Sequence, residues 1–184
     1  MNLIRLIILC LLFLSCKTQK ETLLKEVNNN LTEHIIESNR EKVSQKGTDR
    51  YLSNEIKYVT TVLRKDFFEK IDKKNIKKAN LIESLNGFSD NNYSAILHID
   101  ENIYTYKRYE SNESLLFKKI SLKEFMNDKI NYRAESCILS KMINEDLSEL
   151  LDDNLTTRFD YTIYITQING KNNIKTMSLK DICW

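Results

Sequence analysis

The chain has 184 residues, 41 % hydrophobic and 29 % charged, enough for one domain with a core of its own and too apolar for a chain disordered throughout. Its formal net charge is +2, and Lys and Arg are interleaved with Asp and Glu along its length, which excludes a bulk electrostatic hold on nucleic acid. Proline is absent and the only glycines are Gly47, Gly87 and Gly170, so each glycine is expected to mark a break.

Residues 1–5 make a short start whose one charge is Arg5, and residues 6–14 (LIILCLLFL) are uniformly apolar. Nine helical residues rise only about 14 Å, well short of the roughly 30 Å of bilayer hydrocarbon, so this segment reads as the apolar part of an export signal. The small Ser15 precedes Cys16, and Phe13-Leu14-Ser15-Cys16 resembles the lipobox of bacterial lipoproteins, with Phe13 where that motif usually has Leu. The resemblance covers the leader alone. It implies a signal peptide over 1–15, lipid attachment at Cys16 and a chain held at the cell envelope through its lipid. Lys17 stands where inner-membrane lipoproteins commonly carry Asp, which by the same resemblance implies the outer membrane.

Residues 16–47 are polar and include an Asn28-Asn29-Asn30 run, so they are expected to form a tether. Leu24, Val27, Leu31 and Ile35 recur at helical spacing within it, which predicts partly helical structure ending near Gly47. A single α+β domain is then expected over 48–184.

In that domain Ile56, Val59, Leu63 and Phe67 place one stripe on an amphipathic helix over 54–68. A second helical piece is expected over 75–86, with Gly87 past its end. The basic run Lys73, Lys74, Lys77 and Lys78 reads as a solvated helix face. Segments 93–99 and 103–109 are β-branched and aromatic, and Asp100-Glu101-Asn102 between them suits a tight hairpin. Residues 115–120 read as a third strand. Ser121-Leu122-Lys123-Glu124 matches a capping box and predicts a helix over about 122–129. A longer helical region is expected to end near Leu151, with Ile143, Leu147, Leu150 and Leu151 on one face. Over 159–166 apolar and polar residues alternate as in a strand, and Asn169-Gly170 leads to an antiparallel partner over 174–177. The stretch from Ile120 to Phe125 resembles that from Met177 to Ile182, a weak internal echo equally explained by a common helix start. The fold expected is N-terminal helices followed by a four- to five-stranded antiparallel sheet with helices packed on one face.

Cys10 leaves with the leader and Cys16 takes the lipid, so Cys137 and Cys183 are expected to pair as a disulfide in an oxidising compartment. No Gly-x-Ser-x-Gly, phosphate-binding glycine loop, His-Glu-x-x-His or Cys-x-x-Cys occurs, and no catalytic residue, cofactor or metal is expected. His34 and His98 are expected to be satisfied or solvent-facing. Glu145, Asp146, Glu149, Asp152 and Asp153 could supply carboxylates for a hydrolase of envelope polymers, but their place at a helix end reads as solvated surface. Tyr104 and Tyr106 project from one face of a strand, with Lys107 and Arg108 adjoining, and Tyr104, Tyr106 and Arg108 are the candidate binding surface. The expected function is a membrane-anchored binding or protein-interaction module, its partner an envelope protein or an incoming one such as a toxin. The alternatives are the carboxylate hydrolase and a structural envelope component.

Overall fold

The computed structural model describes residues 23–34, 59–72, 76–86, 93–109, 114–148, 161–170 and 173–179. Among them, six strands form one antiparallel sheet. The elements are α1 (residues 23–34), a single π-type turn Val59–Leu63 running into α2 (Arg64–Glu69), β1 (Lys78–Asn86), β2 (Tyr93–Ile99), β3 (Asn102–Tyr109), β4 (Ser114–Ser121), α3 (Leu122–Asn127), α4 (Arg133–Ile143), β5 (Tyr161–Asn169) and β6 (Ile174–Ser178). The strand order is β4-β3-β2-β1-β5-β6, so β1 to β4 form a meander and β5 returns to the free side of β1.

The α+β class and the antiparallel sheet are as expected; the strand count and the layering differ. Residues 78–86 are not a helix but a central strand, paired with β2 on one side and β5 on the other. Ala79 and Leu81 face one core while Ile82 faces a second, and Ile82 and Glu83 break the alternation of apolar and polar residues that would have marked a strand. Two flanking ladders outweigh the helix propensity of Ala, Leu and Glu.

Helices cover both faces of the sheet. The first core joins Leu23 and Val27 of α1 and Phe67 and Phe68 of α2 to Leu81, Leu97, Tyr104 and Tyr106. The second joins Phe125 of α3 and Ile138, Leu139 and Met142 of α4 to Ile82, Ile96, Ile103 and Ile165. The reason is written in β5, where Ile163 and Ile165 lie in the second core while Tyr164, Thr166 and Ile168 are also buried. A sheet buried on both sides needs a helical layer on each.

The domain therefore begins at or before Leu23. Leu23, Val27 and Leu31 are buried, so the helical part of the expected tether belongs to the folded unit; the expected end near Gly47 lies outside the described residues. Asn30 fastens α1 to edge strand β6, its amide donating to the Ile174 carbonyl at 2.8 Å while its oxygen accepts from the Thr176 N–H at 2.7 Å. One side chain thus satisfies a donor and an acceptor that an edge strand otherwise leaves open.

The Ser121 hydroxyl accepts from the Glu124 N–H at 3.1 Å, which is the Ser half of the expected capping box. The later helix is shorter than expected: α4 ends at Ile143, which is exposed, and its buried face is Ser136, Ile138, Leu139 and Met142. It stops in a Schellman arrangement, with Glu145 N–H on the Met142 carbonyl and Asp146 N–H on the Lys141 carbonyl, and with Glu145 at φ +57° where glycine usually sits. Leu147 is buried beyond this stop; Leu150 and Leu151 lie outside the described residues. The two echo segments follow the two edge strands, β4 and β6, and 180–182 lies outside the described residues.

Candidate functional site

The tyrosines of β3 are not a recognition surface. Tyr104 and Tyr106 are 1 % and 0 % exposed, because their face of β3 lies under α2. The Tyr106 hydroxyl donates to Asp66 at 2.7 Å and the Tyr104 hydroxyl to Asp72 at 2.5 Å. Burial, then the accepting carboxylates, push both phenols above their ordinary range. Asp72 is held down to about 2 by hydrogen bonds from Lys119 and Tyr104. Arg108 is half-buried on the same face. A half-buried aromatic strand face looks alike in sequence whether a helix or a partner covers it.

Cys137 is half-buried against the second core and is not a free thiol, while Cys16 and Cys183 lie outside the described residues. Glu145 and Asp146 are exposed, and Glu149, Asp152 and Asp153 lie outside the described residues. His34 is engaged in packing: its Nε2 lies 2.8 Å from the Ser178 hydroxyl and its ring meets Tyr164 edge-on at 6.2 Å.

One charged cluster that sequence reasoning missed lies inside the first core. Arg64 of α2 gives Nε to Glu83 Oε1 at 2.6 Å and Nη2 to Glu83 Oε2, and the Tyr93 hydroxyl donates to Glu83 Oε1 at 2.6 Å. The remaining guanidinium nitrogen reaches the Asn28 side-chain oxygen at 3.2 Å and the Val27 carbonyl at 3.4 Å on α1. Burial disfavours the Arg64 cation, but the charge and hydrogen bonds of Glu83 more than reverse this and raise its pKa. Burial, reinforced by the Glu83 charge, raises Tyr93 well above a normal phenol. The cluster fastens α1, α2 and the sheet together, and its polar atoms are directed at one another.

An open polar feature lies on the opposite face. Asn80 pairs with His98 of β2 and with Gln167 of β5, so the three side chains form one row across β2, β1 and β5. The neighbouring row, Ile96, Ile82 and Ile165, is covered by the second core. Because α4 stops at Ile143, a cavity of about 230 Å³ remains over the polar row. Asn80 and Met142 are buried in it, and Lys78, Asp100, Glu145 and Asn169 form an exposed rim.

His98 is the unusual member. Its Nδ1 lies 3.4 Å from the Asn80 amide nitrogen, and its buried Nε2 has no hydrogen-bond partner among the described residues. Burial lowers its pKa, with the Asp100 backbone and the Glu101 charge pulling partly the other way. Either neutral tautomer leaves Nε2 with an unmet donor or acceptor, a condition that costs about 1–3 kcal/mol in a buried group. Inside its rim of Lys78, Asp100 and Glu145 the cavity offers three carboxamides and a neutral imidazole, with no hydroxyl or thiol among the described residues that line it. Such a set can bind polar groups by both donating and accepting. Among the described residues no group of acids, histidines and cysteines is arranged to hold a metal ion. The sequence carried a faint sign of the site, since His98 points opposite to Leu97 and Ile99, but its neighbours Asn80 and Gln167 come from strands far apart in the chain.

No protein-family model, curated protein or solved structure matches the chain.

Proposed function

We propose that this chain is an envelope lipoprotein, anchored through Cys16, whose domain is a binding module with the cavity beside His98 as its recognition site. The observation that carries the binding reading is the buried, unpartnered Nε2 of His98 in a row of carboxamides. Neutral groups that both donate and accept suit an uncharged ligand rich in hydroxyls or amides. At about 230 Å³ the space is below the 300–1,000 Å³ of drug-sized sites, so the ligand is a single ring or a comparable small group. Anchoring is supported by the leader, in which a short apolar stretch, a small residue and a cysteine follow one another.

The test is a titration of the full-length, detergent-solubilised protein with plain and N-acetylated monosaccharides, observed through the His98 ring resonances by NMR. A saturable shift that Asn80→Ala and Gln167→Ala weaken at least tenfold supports the reading. Unmoved His98 resonances across the series would remove the cavity from the function. Mass spectrometry of the protein from its native host decides the anchor, which requires an acylated Cys16 as the first residue.

A further inference from the structure

We infer that the domain is seated on the membrane rather than hung from it, with the sheet end that carries the cavity rim turned toward the lipid surface. The inference rests on the lipidation of Cys16 proposed above and adds to it the docking of α1. The sequence suggests a leash of about thirty residues, which as a flexible coil would let the domain wander by roughly 30 Å. The fold about halves that reach, to roughly 15 Å for seven residues on the same flexible-coil measure. Leu23, Val27 and Leu31 are buried, Asn30 is bonded to a carbonyl and an N–H on the β6 edge, and His34 is held by Ser178. Only seven peptide steps join Cys16 to Leu23, and they reach at most about 25 Å however they are arranged.

The direction follows from the same contacts. Asn30 lies against Ile174 and Thr176 while His34 lies against Ser178, so α1 runs alongside β6 in the same sense. Leu23, seven residues before Asn30, sits about 10 Å further back, beyond the start of β6. That is the end of the sheet where Gly170 N–H meets the Lys77 carbonyl, and where Lys78, Asp100 and Asn169 rim the cavity. Lys77, Lys78 and Lys175 there are offset by Asp100, Glu101 and Glu145, all six exposed. A basic patch drawn to anionic lipid would be one-signed. Here the acyl anchor and the short reach hold the surface in place, and the groups presented to the cavity are those borne at the lipid surface.

The experiment uses the full-length acylated protein in phosphatidylcholine vesicles carrying a headgroup nitroxide. A fluorophore is placed either at Asn173→Cys, beside the β5–β6 turn, or at Arg133→Cys, at the start of α4 and the other end of the sheet. Mass spectrometry of the same sample checks Cys16. Quenching several-fold stronger at residue 173 than at 133, made equal by a twenty-residue Gly-Ser insertion between Cys16 and Leu23, is the expected result. Equal quenching in a protein with acylated Cys16 overturns the seating alone. An unmodified Cys16 overturns the seating and the anchor together, while leaving the sugar titration to judge the cavity.

Discussion

Arg64 of α2 and Glu83 of β1 form a two-pronged ion pair sealed inside the protein, with Arg64 0 % and Glu83 1 % exposed. A pair out of water recovers its desolvation cost only through complete hydrogen bonding, and Tyr93, Asn28 and Val27 supply the remainder. Removing one partner strands the other as a buried charge. Glu83→Gln is expected to destabilise the fold by about 3–5 kcal/mol, and Arg64→Met/Glu83→Leu to restore much of the loss. Urea unfolding of the two variants checks this, and single-variant losses under about 1 kcal/mol would show that water reaches the pair.

Asn30→Ala removes the side chain that serves both the Ile174 carbonyl and the Thr176 N–H on the β6 edge. Each open backbone group costs on the order of 1 kcal/mol, so a loss of about 2 kcal/mol is expected. Light scattering on warming should also show earlier association than in the parent protein, because an uncovered edge is a template for strand addition. An unchanged scattering onset would mean that α1 shields the edge without this residue.

Glu145 holds φ +57° at the end of α4, a conformation that costs a residue with a Cβ about 1 kcal/mol and glycine almost nothing. Glu145→Gly is therefore expected to raise the melting temperature by about 2–4 °C, and Glu145→Val to lower it. Calorimetry that ranked the two the other way would contradict the Schellman stop.

His98 titrates below its ordinary value in the fold, because burial disfavours the cation. The unfolded chain then binds the proton more readily. The sign is fixed by that: the associated stability is whole above the unfolded pKa of about 6.5 and is lost as the pH falls through it toward the folded value. His98→Gln should flatten the stability profile between about pH 7 and pH 5. Parallel profiles for the two proteins would place the imidazole in water.

A Cys137–Cys183 disulfide would close a loop of about 46 residues and constrain the unfolded chain by roughly 4 kcal/mol in the loop-entropy account. Thiol titration of the mature protein, denatured without reductant, is expected to find no reactive thiol. Two reactive thiols would rule the pairing out.

The β2–β3 hairpin, the Ser121 cap and the β5–β6 hairpin were legible in sequence because each is local: turn residues, alternation and a capping hydroxyl act within a few positions of one another. The stripe Val27 and Leu31 also announced a helix, though not that the helix was part of the domain. Segment 78–86 could not be read, since Ile82 and Glu83 interrupt its alternation and leave a composition of Ala, Leu and Glu that resembles a helix. The cavity and the ion pair were illegible for a related reason. Asn80, His98 and Gln167, like Arg64 and Glu83, acquire their roles from neighbours brought beside them by strand register and helix docking.

By itself, then, the sequence determined what short-range chemistry controls: the expectation of an envelope address, the hairpins, the capped helix and the α+β class. Tertiary structure alone decided that α1 belongs to the core, that both sheet faces are covered, that the β3 tyrosines are interior, and that a neutral polar row lies open beside His98. Those outcomes depend on which surfaces meet, and burial energy is settled between segments distant in the chain.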